Sequence, residues 1–84
     1  MSKGQEMEQP IRKIEKSKNK QVLVRLKDGE EYIGTLVDTD TFMNMVLTDA
    51  VELKDGERVR SYGTVFIRGN NIIYIMLEYR GPKP

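Results

Sequence analysis

The first regular pattern of apolar and polar positions along the chain is a short amphipathic segment near the N-terminus. Pro10 suits the first turn of a helix, where its missing N–H costs nothing. Ile11 and Ile14 are three residues apart and share one helix face. The lysines that follow favour the C-terminal end of a helix dipole. We therefore predict a helix over residues 10–18, whose narrow apolar stripe must pack against another element.

After residue 20 the pattern changes to a period of two, which is typical of β-strands. The predicted strands cover residues 22–27, 31–38, 43–53, 58–68 and 72–79. Asp28-Gly29 and Asp55-Gly56 are strong hairpin signals, and Gly69-Asn70-Asn71 is a third tight turn. Gly34, in the middle of the second strand, permits a sharp bend or a bulge. The pattern predicts a mostly β fold, in which a short helix precedes a strongly bent, five-stranded antiparallel sheet that forms a small open barrel.

The last two predicted strands lack the alternation expected of a sheet with one face in water. Ile72 to Tyr79 is apolar on both faces, with Glu78 as its only charge, and Val65 to Ile67 is similar. Both faces of these strands should therefore be covered. Edge-to-edge pairing of identical subunits would cover them, and such heterologous contacts close into rings. The alternative is a barrel that closes on itself, with the helix covering the rest.

Length and composition restrict the possible classes of protein. A chain of 84 residues without repeats or linkers forms one domain, here predicted to span residues 10–80, with a flexible N-terminus (1–9) and a short tail (81–84). The chain has no cysteine and no histidine, so it lacks a thiol nucleophile, the usual zinc ligands and the commonest general base. We therefore expect no enzyme activity, no metal and no cofactor.

The N-terminus and the charge distribution indicate where the protein works and how it binds. No apolar run approaches the roughly 20 residues of a membrane span, and no signal peptide is visible, so we predict a cytoplasmic protein without membrane contact. Residues 1–20 hold six basic and three acidic side chains, a charge of +3, whereas residues 21–84 hold eight and ten, a charge of −2. A polyanion binder with this distribution needs a local site. The alternative is ordinary solubilising surface.

Two polar turns contain groups that a structural loop does not require. In residues 38–44, Phe42 offers a flat face for a nucleobase, and stacking of this kind is worth about 1–3 kcal/mol. The Asn44 amide carries a donor and an acceptor that match the edge of uracil, although a flipped amide would suit cytosine. The alternatives are a core phenylalanine and an asparagine that ties its own loop together.

In residues 68–71, Arg68 can stack on a base or bind a phosphate, and Gly69 permits a left-handed turn or the close approach of a ligand. The alternative for Arg68 is a solvated arginine at a strand end. Together the two turns match a nucleobase slot with an aromatic ring on one side, a guanidinium on the other and an amide at the edge.

These segments resemble a pair of known sequence motifs. The first Sm motif is similar to three segments of the chain, namely 24–29, 34–36 and 40–47, and the second is similar to residues 62–72. The resemblance covers about residues 9–79 and is greatest to the archaeal Sm-like proteins. It implies an Sm-like, SH3-type open barrel and a homo-oligomeric ring, usually a heptamer, in which the fourth strand of one subunit pairs with the fifth of the next. Whether another kind of subunit joins the ring, and which protein partners it has, stays open.

The resemblance also implies a ligand and a site. The ligand is single-stranded, uridine-rich RNA, bound one base per subunit around the inside of the ring. Phe42 and Arg68 would stack on the base, Asn44 would read its edge, Asp40 would orient Asn44, and Gly69 and Asn70 would complete the slot.

Two positions depart from the archaeal pattern. Many relatives have His where this chain has Phe42, and a phenylalanine stacks on a base but forms no hydrogen bond with it. Many also have Asp where this chain has Asn70, so this chain lacks one acceptor and one negative charge near the RNA. The alternative function is a structural or protein-interaction scaffold with the same fold.

Overall fold

The computed structural model describes residues 10–80, and for Pro10 and Ile11 it describes the backbone alone. The predicted flexible N-terminus (1–9) and the predicted tail (81–84) lie outside the described residues. The domain boundaries therefore stay a prediction.

The described chain is a short helix followed by five strands, as predicted. The elements are α1 (Pro10–Lys16), β1 (Gln21–Leu26), β2 (Glu31–Thr39), β3 (Met45–Lys54), β4 (Glu57–Ile67) and β5 (Ile72–Met76). The helix ends two residues earlier than expected, because a turn follows in which Asn19 takes a left-handed φ of 68°. The Asn19 N–H then donates to the carbonyl oxygen of Leu36 at 2.7 Å and ties this turn to β2.

The strands form one antiparallel sheet in the order β4-β3-β2-β1-β5. The two Asp-Gly turns are hairpins as predicted; Asp55 and Gly56 both have positive φ, as a type I′ turn requires. The third tight turn is not a hairpin. A 3₁₀ turn over Gly69–Asn71 redirects the chain so that β5 pairs with β1. This is possible because the sheet is bent so strongly that the free side of β1 lies beside the end of β4.

Two residues that face each other across the sheet, Gly34 and Asp49, produce its bend. The pairing of β2 with β3 shifts register on either side of Gly34, confirming the predicted bulge. Opposite it, Asp49 takes a φ of 50° within β3, and Gly63 of β4 lies at the same level. A Cβ on Gly34 would meet Leu47 Cβ and the Thr48 carbonyl oxygen, each at 3.1 Å. The lack of a side chain at residue 34 therefore lets β2 fold closely onto β3.

The bent sheet buries apolar side chains on both of its faces. The larger core lies on the concave face, around Val22, Leu36 and Leu47, and Ile14 of the helix packs into it. The smaller cluster on the other face comprises Leu23, Ile33, Val51 and Leu53, with Tyr79 packed against it. Both faces of β1 and β2 are therefore apolar, and the concave core positions the loops at the end of the sheet.

The two edge strands expose apolar side chains. Phe66 on β4 is 78% exposed, and Ile73 and Met76 on β5 are 56% and 45% exposed. Among the described residues, β4 and β5 do not pair with each other, so the predicted alternative of a self-closing barrel is wrong. Both edges remain open within one subunit. No helix within residues 10–80 is long and apolar enough to cross a membrane.

We expect Gly34→Ala to lower the free energy of unfolding by about 1–3 kcal/mol, because the added methyl group overpacks the contact with Leu47 and Thr48. Chemical denaturation at a fixed protein concentration measures this. Gly63→Ala is the matched control, since nothing lies within 4 Å of its Cβ. An equal loss in the two variants would contradict this account of the bend.

Candidate nucleic-acid interface

The loop between β2 and β3 is organised around the carboxylate of Asp40. One oxygen, Oδ1, accepts the backbone N–H groups of Phe42 at 2.9 Å and Asn44 at 3.1 Å, and the other accepts Asn44 Nδ2 at 3.0 Å. The Met43 N–H also donates to the Asp40 carbonyl at 2.9 Å. An aspartate that binds the backbone N–H two residues later is a common turn device. Hydrogen bonds within residues 40–44 therefore hold the loop, and Met43 packs against the larger core.

These hydrogen bonds lower the pKa of Asp40. The largest contribution comes from the side-chain amide of Asn44, and the backbone N–H groups of Asn44 and Phe42 add to it. Each bond stabilises the charged carboxylate, whereas the partial loss of water around the group acts in the opposite direction. Asp40 is therefore an ionised acceptor at neutral pH, and its Oδ2 accepts a hydrogen bond from the Asn44 amide.

The second turn touches the first directly. The backbone N–H of Gly69 donates to Asn44 Oδ1 at 2.7 Å, across 25 positions of sequence. A Cβ on Gly69 would overlap the carbonyl oxygen of Phe42 and lie 2.9 Å from the carbonyl carbon of Met43. The predicted left-handed turn at Gly69 is wrong, because its φ is not left-handed. The backbone of Phe42 and Met43 approaches Gly69 closely, and the approach of a ligand there stays a prediction.

The orientation of the Asn44 amide is set by its two partners. Its nitrogen faces a carboxylate, which only accepts, and its oxygen faces a backbone N–H, which only donates. A flipped amide would put donor against donor at Gly69 and acceptor against acceptor at Asp40. Asn44 does tie its own loop together, as the structural alternative held. One N–H and one oxygen lone pair nevertheless remain for a ligand.

The other predicted site residues are exposed near the hydrogen bonds that join Asn44 to Asp40 and Gly69. Phe42 is 78% exposed, so the alternative of a core phenylalanine is wrong. Arg68 and Asn70 are also exposed, and Arg68 makes no ion pair within residues 10–80. Arg68 is adjacent to Gly69 and so lies at the junction of the two turns.

A cleft of about 420 Å³ lies where β2, β3 and β4 end. Asp40, Asn44 and Arg68 line it together, whereas Phe42, Gly69 and Asn70 lie outside its lining. The structure thus brings three predicted site residues to one cleft and leaves the Phe42 ring beside it.

Sequence reasoning gave no site role to the other residues that line this cleft, among them Asp38 and Phe66. Asp38 belongs to the polar loop already singled out, and its charge was the available signal. Phe66 was assigned only to an apolar strand, and no local signal places it at the cleft. In addition, the Lys27 N–H donates to the Asn71 carbonyl at 2.8 Å, which brings the β1–β2 turn beside the second turn.

The LSM domain model matches residues 12–77, which is most of the chain and includes both turns. The chain belongs to the LSM family. Its LSM domain is 47% identical over 68 residues to the putative snRNP Sm-like protein of Thermococcus sibiricus, covering 81% of this chain and 90% of that protein. The family assignment confirms the predicted resemblance.

Two solved Sm proteins share this LSM fold. One is the Sm protein of Pyrococcus abyssi in complex with a uridine heptamer, with a TM-score of 0.80, 44% identity and coverage of 83% of this chain and 99% of that one. The other is a heptameric archaeal Sm protein, with a TM-score of 0.73, 38% identity and coverage of 79% and 96%. These likenesses confirm the predicted fold class.

We expect the Asp40 carboxyl to titrate below the ordinary value of 3.8. Because its folded-state pKa is depressed, the carboxylate stabilises the loop above pH 3.8, and this contribution is lost as the pH falls through the lowered pKa. NMR titration of the side-chain carboxyl carbon measures the midpoint. In the Asn44→Ala variant the midpoint should move up towards 3.8, because the largest cause is removed. A midpoint unchanged by that substitution would argue against the proposed cause.

Proposed function

We propose that this LSM protein forms a homo-oligomeric ring that binds single-stranded, uridine-rich RNA, one base per subunit, in RNA processing or metabolism. The observation that carries the proposal is the fixed amide of Asn44, which presents one donor and one acceptor at a cleft shared with Arg68. The Pyrococcus abyssi relative bound to a uridine heptamer supports the choice of ligand.

The fixed amide supports uracil over cytosine. Uracil offers the N3–H donor between two carbonyl oxygens, so the Asn44 oxygen can accept from N3–H while its free N–H donates to a carbonyl. Cytosine can pair with the same amide only if its amino group takes the place of the uracil N3–H and its N3 takes the place of a uracil carbonyl oxygen. That requires the base to move by one position along its edge, which the groups that hold its two faces oppose.

Phe42 and Arg68 are the groups that we propose for the two faces of the base. The Phe42 ring is exposed beside the cleft, and the guanidinium of Arg68 is available for stacking within it. Gly69 holds the two turns together, and Asn70 follows it at the exposed end of the second turn. Since Phe42 cannot titrate and the chain has no histidine, the slot contains no group that changes charge near pH 6–7.

The ring supplies the affinity that one slot lacks. β4 and β5 are open edges with exposed apolar side chains, and pairing them between subunits covers both. The heptameric archaeal relative supports a ring of seven. Neighbouring slots then bind successive nucleotides of one strand, and each bound base raises the effective concentration of the next.

The proposed role is binding and not catalysis. The family members that match the chain are snRNP Sm-like proteins, and within residues 10–80 no three potential ligands cluster to hold a metal. We expect the protein to work in the cytoplasm, where it would meet its RNA.

We expect the double substitution of Asn44→Ala with Arg68→Ala to weaken oligouridine binding at least tenfold, since one stacking contact and one bidentate contact are each worth about 1–3 kcal/mol. Light scattering should show an unchanged ring. Fluorescence titrations with oligo-U, oligo-C and oligo-A at moderate salt measure affinity, and the intact protein should prefer oligo-U. Arg58→Ala, which removes the same charge at the opposite end of β4, is the matched control.

The outcomes of these titrations separate the two candidate functions. An affinity for oligo-U that is unchanged in the double variant would rule out the slot. If the intact ring binds none of the three oligonucleotides, the chain is a scaffold with an LSM fold.

We expect Ile73→Glu to break the ring, because it places a charge on the open, apolar edge of β5. Size-exclusion chromatography with light scattering should show a fall in mass to that of one chain. Val37→Glu is the matched control, since Val37 is 42% exposed but lies on the central strand β2. A ring that survives Ile73→Glu would exclude this edge from the interface.

A further inference from the structure

The charge of the cleft is unfavourable for the backbone of a nucleic acid. Among the described residues that line it, Asp38 and Asp40 are negative and Arg68 is positive, so two negative charges and one positive charge sum to −1. Every nucleotide that places its base here brings a negatively charged phosphate with it. Arg68 cannot offset both carboxylates and the phosphate. A further cation beside the cleft would therefore favour the binding of RNA.

Lys18 is placed to be that cation. Its Nζ lies 3.5 Å from Oδ1 of Asp38, which lines the cleft, and the two side chains are 43% and 68% exposed. Lys20, two residues further on, has its Nζ 3.2 Å from Glu78 and lines a different groove. Of these two neighbouring lysines, only Lys18 is held by a carboxylate of the cleft.

The backbone around Lys18 is held firmly, whereas its amino group is not. The Asn19 N–H donates to the Leu36 carbonyl at 2.7 Å, and the Leu36 N–H donates to the Lys20 carbonyl at 3.0 Å. Ser17, immediately before Lys18, is 2% exposed. These contacts fix the backbone end of the Lys18 side chain beside Leu36 of β2, which lies two residues before Asp38 in the sequence. Among residues 10–80, the amino group is joined by one exposed ion pair, a kind of contact that contributes little.

We propose that Lys18 exchanges its ion pair with Asp38 for a contact with an RNA phosphate, and so neutralises the backbone at each slot. This inference rests on the proposed function. Leaving Asp38 costs Lys18 little, because the pair is long and exposed to water. Binding a phosphate is favourable because it releases the counterions that accompany a nucleic acid.

The dependence of oligouridine binding on salt tests the proposal. In the Lys18→Gln variant, affinity at low salt should fall, and the slope of log affinity against log salt should decrease by about 0.7 for each phosphate that loses its partner. Lys18→Arg should restore the slope. Lys20→Gln is the matched control, because it removes an equally exposed, ion-paired lysine away from the cleft. Asp38→Asn should strengthen binding, since it frees Lys18 and removes a negative charge.

The outcomes distinguish this inference from the proposed function. If Lys18→Gln and Lys20→Gln show the same slope and affinity while Asn44→Ala weakens binding, the phosphate contact is wrong and the slot stands. If Asp38→Asn weakens binding as much as Lys18→Gln, Lys18 acts by holding the loop, and the inference fails. If the intact ring does not bind oligouridine, both proposals fall. Circular dichroism and light scattering verify that each variant folds and assembles.

Discussion

The site depends on one hydrogen bond, from the backbone N–H of Gly69 to Oδ1 of Asn44 at 2.7 Å. This bond joins two turns that are far apart in sequence, and it leaves no room for a side chain on Gly69. Together with the bond from Asn44 to Asp40, it sets which end of the amide is the donor and which is the acceptor. Recognition of a base edge requires this order to be settled before the ligand arrives, since a freely turning amide would accept uracil and cytosine alike.

The bend of the sheet is what allows this bond to form. Gly34 and the left-handed Asp49 let β2 and β3 turn sharply, so that the end of β4 approaches the loop that follows β2. Within one subunit, β4 and β5 remain separate open edges of this bent sheet. The bent sheet thus carries both the contact between the two turns and the open edges through which the proposed ring would repeat the weak binding of a single base.

The charged side chains that line the cleft are mostly acidic. The body of the protein is not basic, and the cleft itself carries two carboxylates against one guanidinium. One of these carboxylates, Asp40, is needed to hold the amide, so its negative charge is a consequence of preorganising the slot. The other, Asp38, forms an ion pair with Lys18. The proposed RNA affinity would come from local contacts repeated around a ring, and not from a broadly positive surface.

The sequence by itself determined the elements and the chemistry of the site. Periodicity, Asp-Gly turns and Gly34 are local signals, because hairpin geometry and strand burial depend on neighbours in the chain, and they predicted the helix, the five strands and the bend. The residue types of Asp40, Phe42, Asn44 and Arg68 indicated a base slot. Only the tertiary structure decided that β5 pairs with β1, that Gly69 contacts the protein's own backbone, and that Asp38 and Phe66 belong to the cleft. These features depend on contacts between distant segments, and such contacts exist only once the sheet has bent.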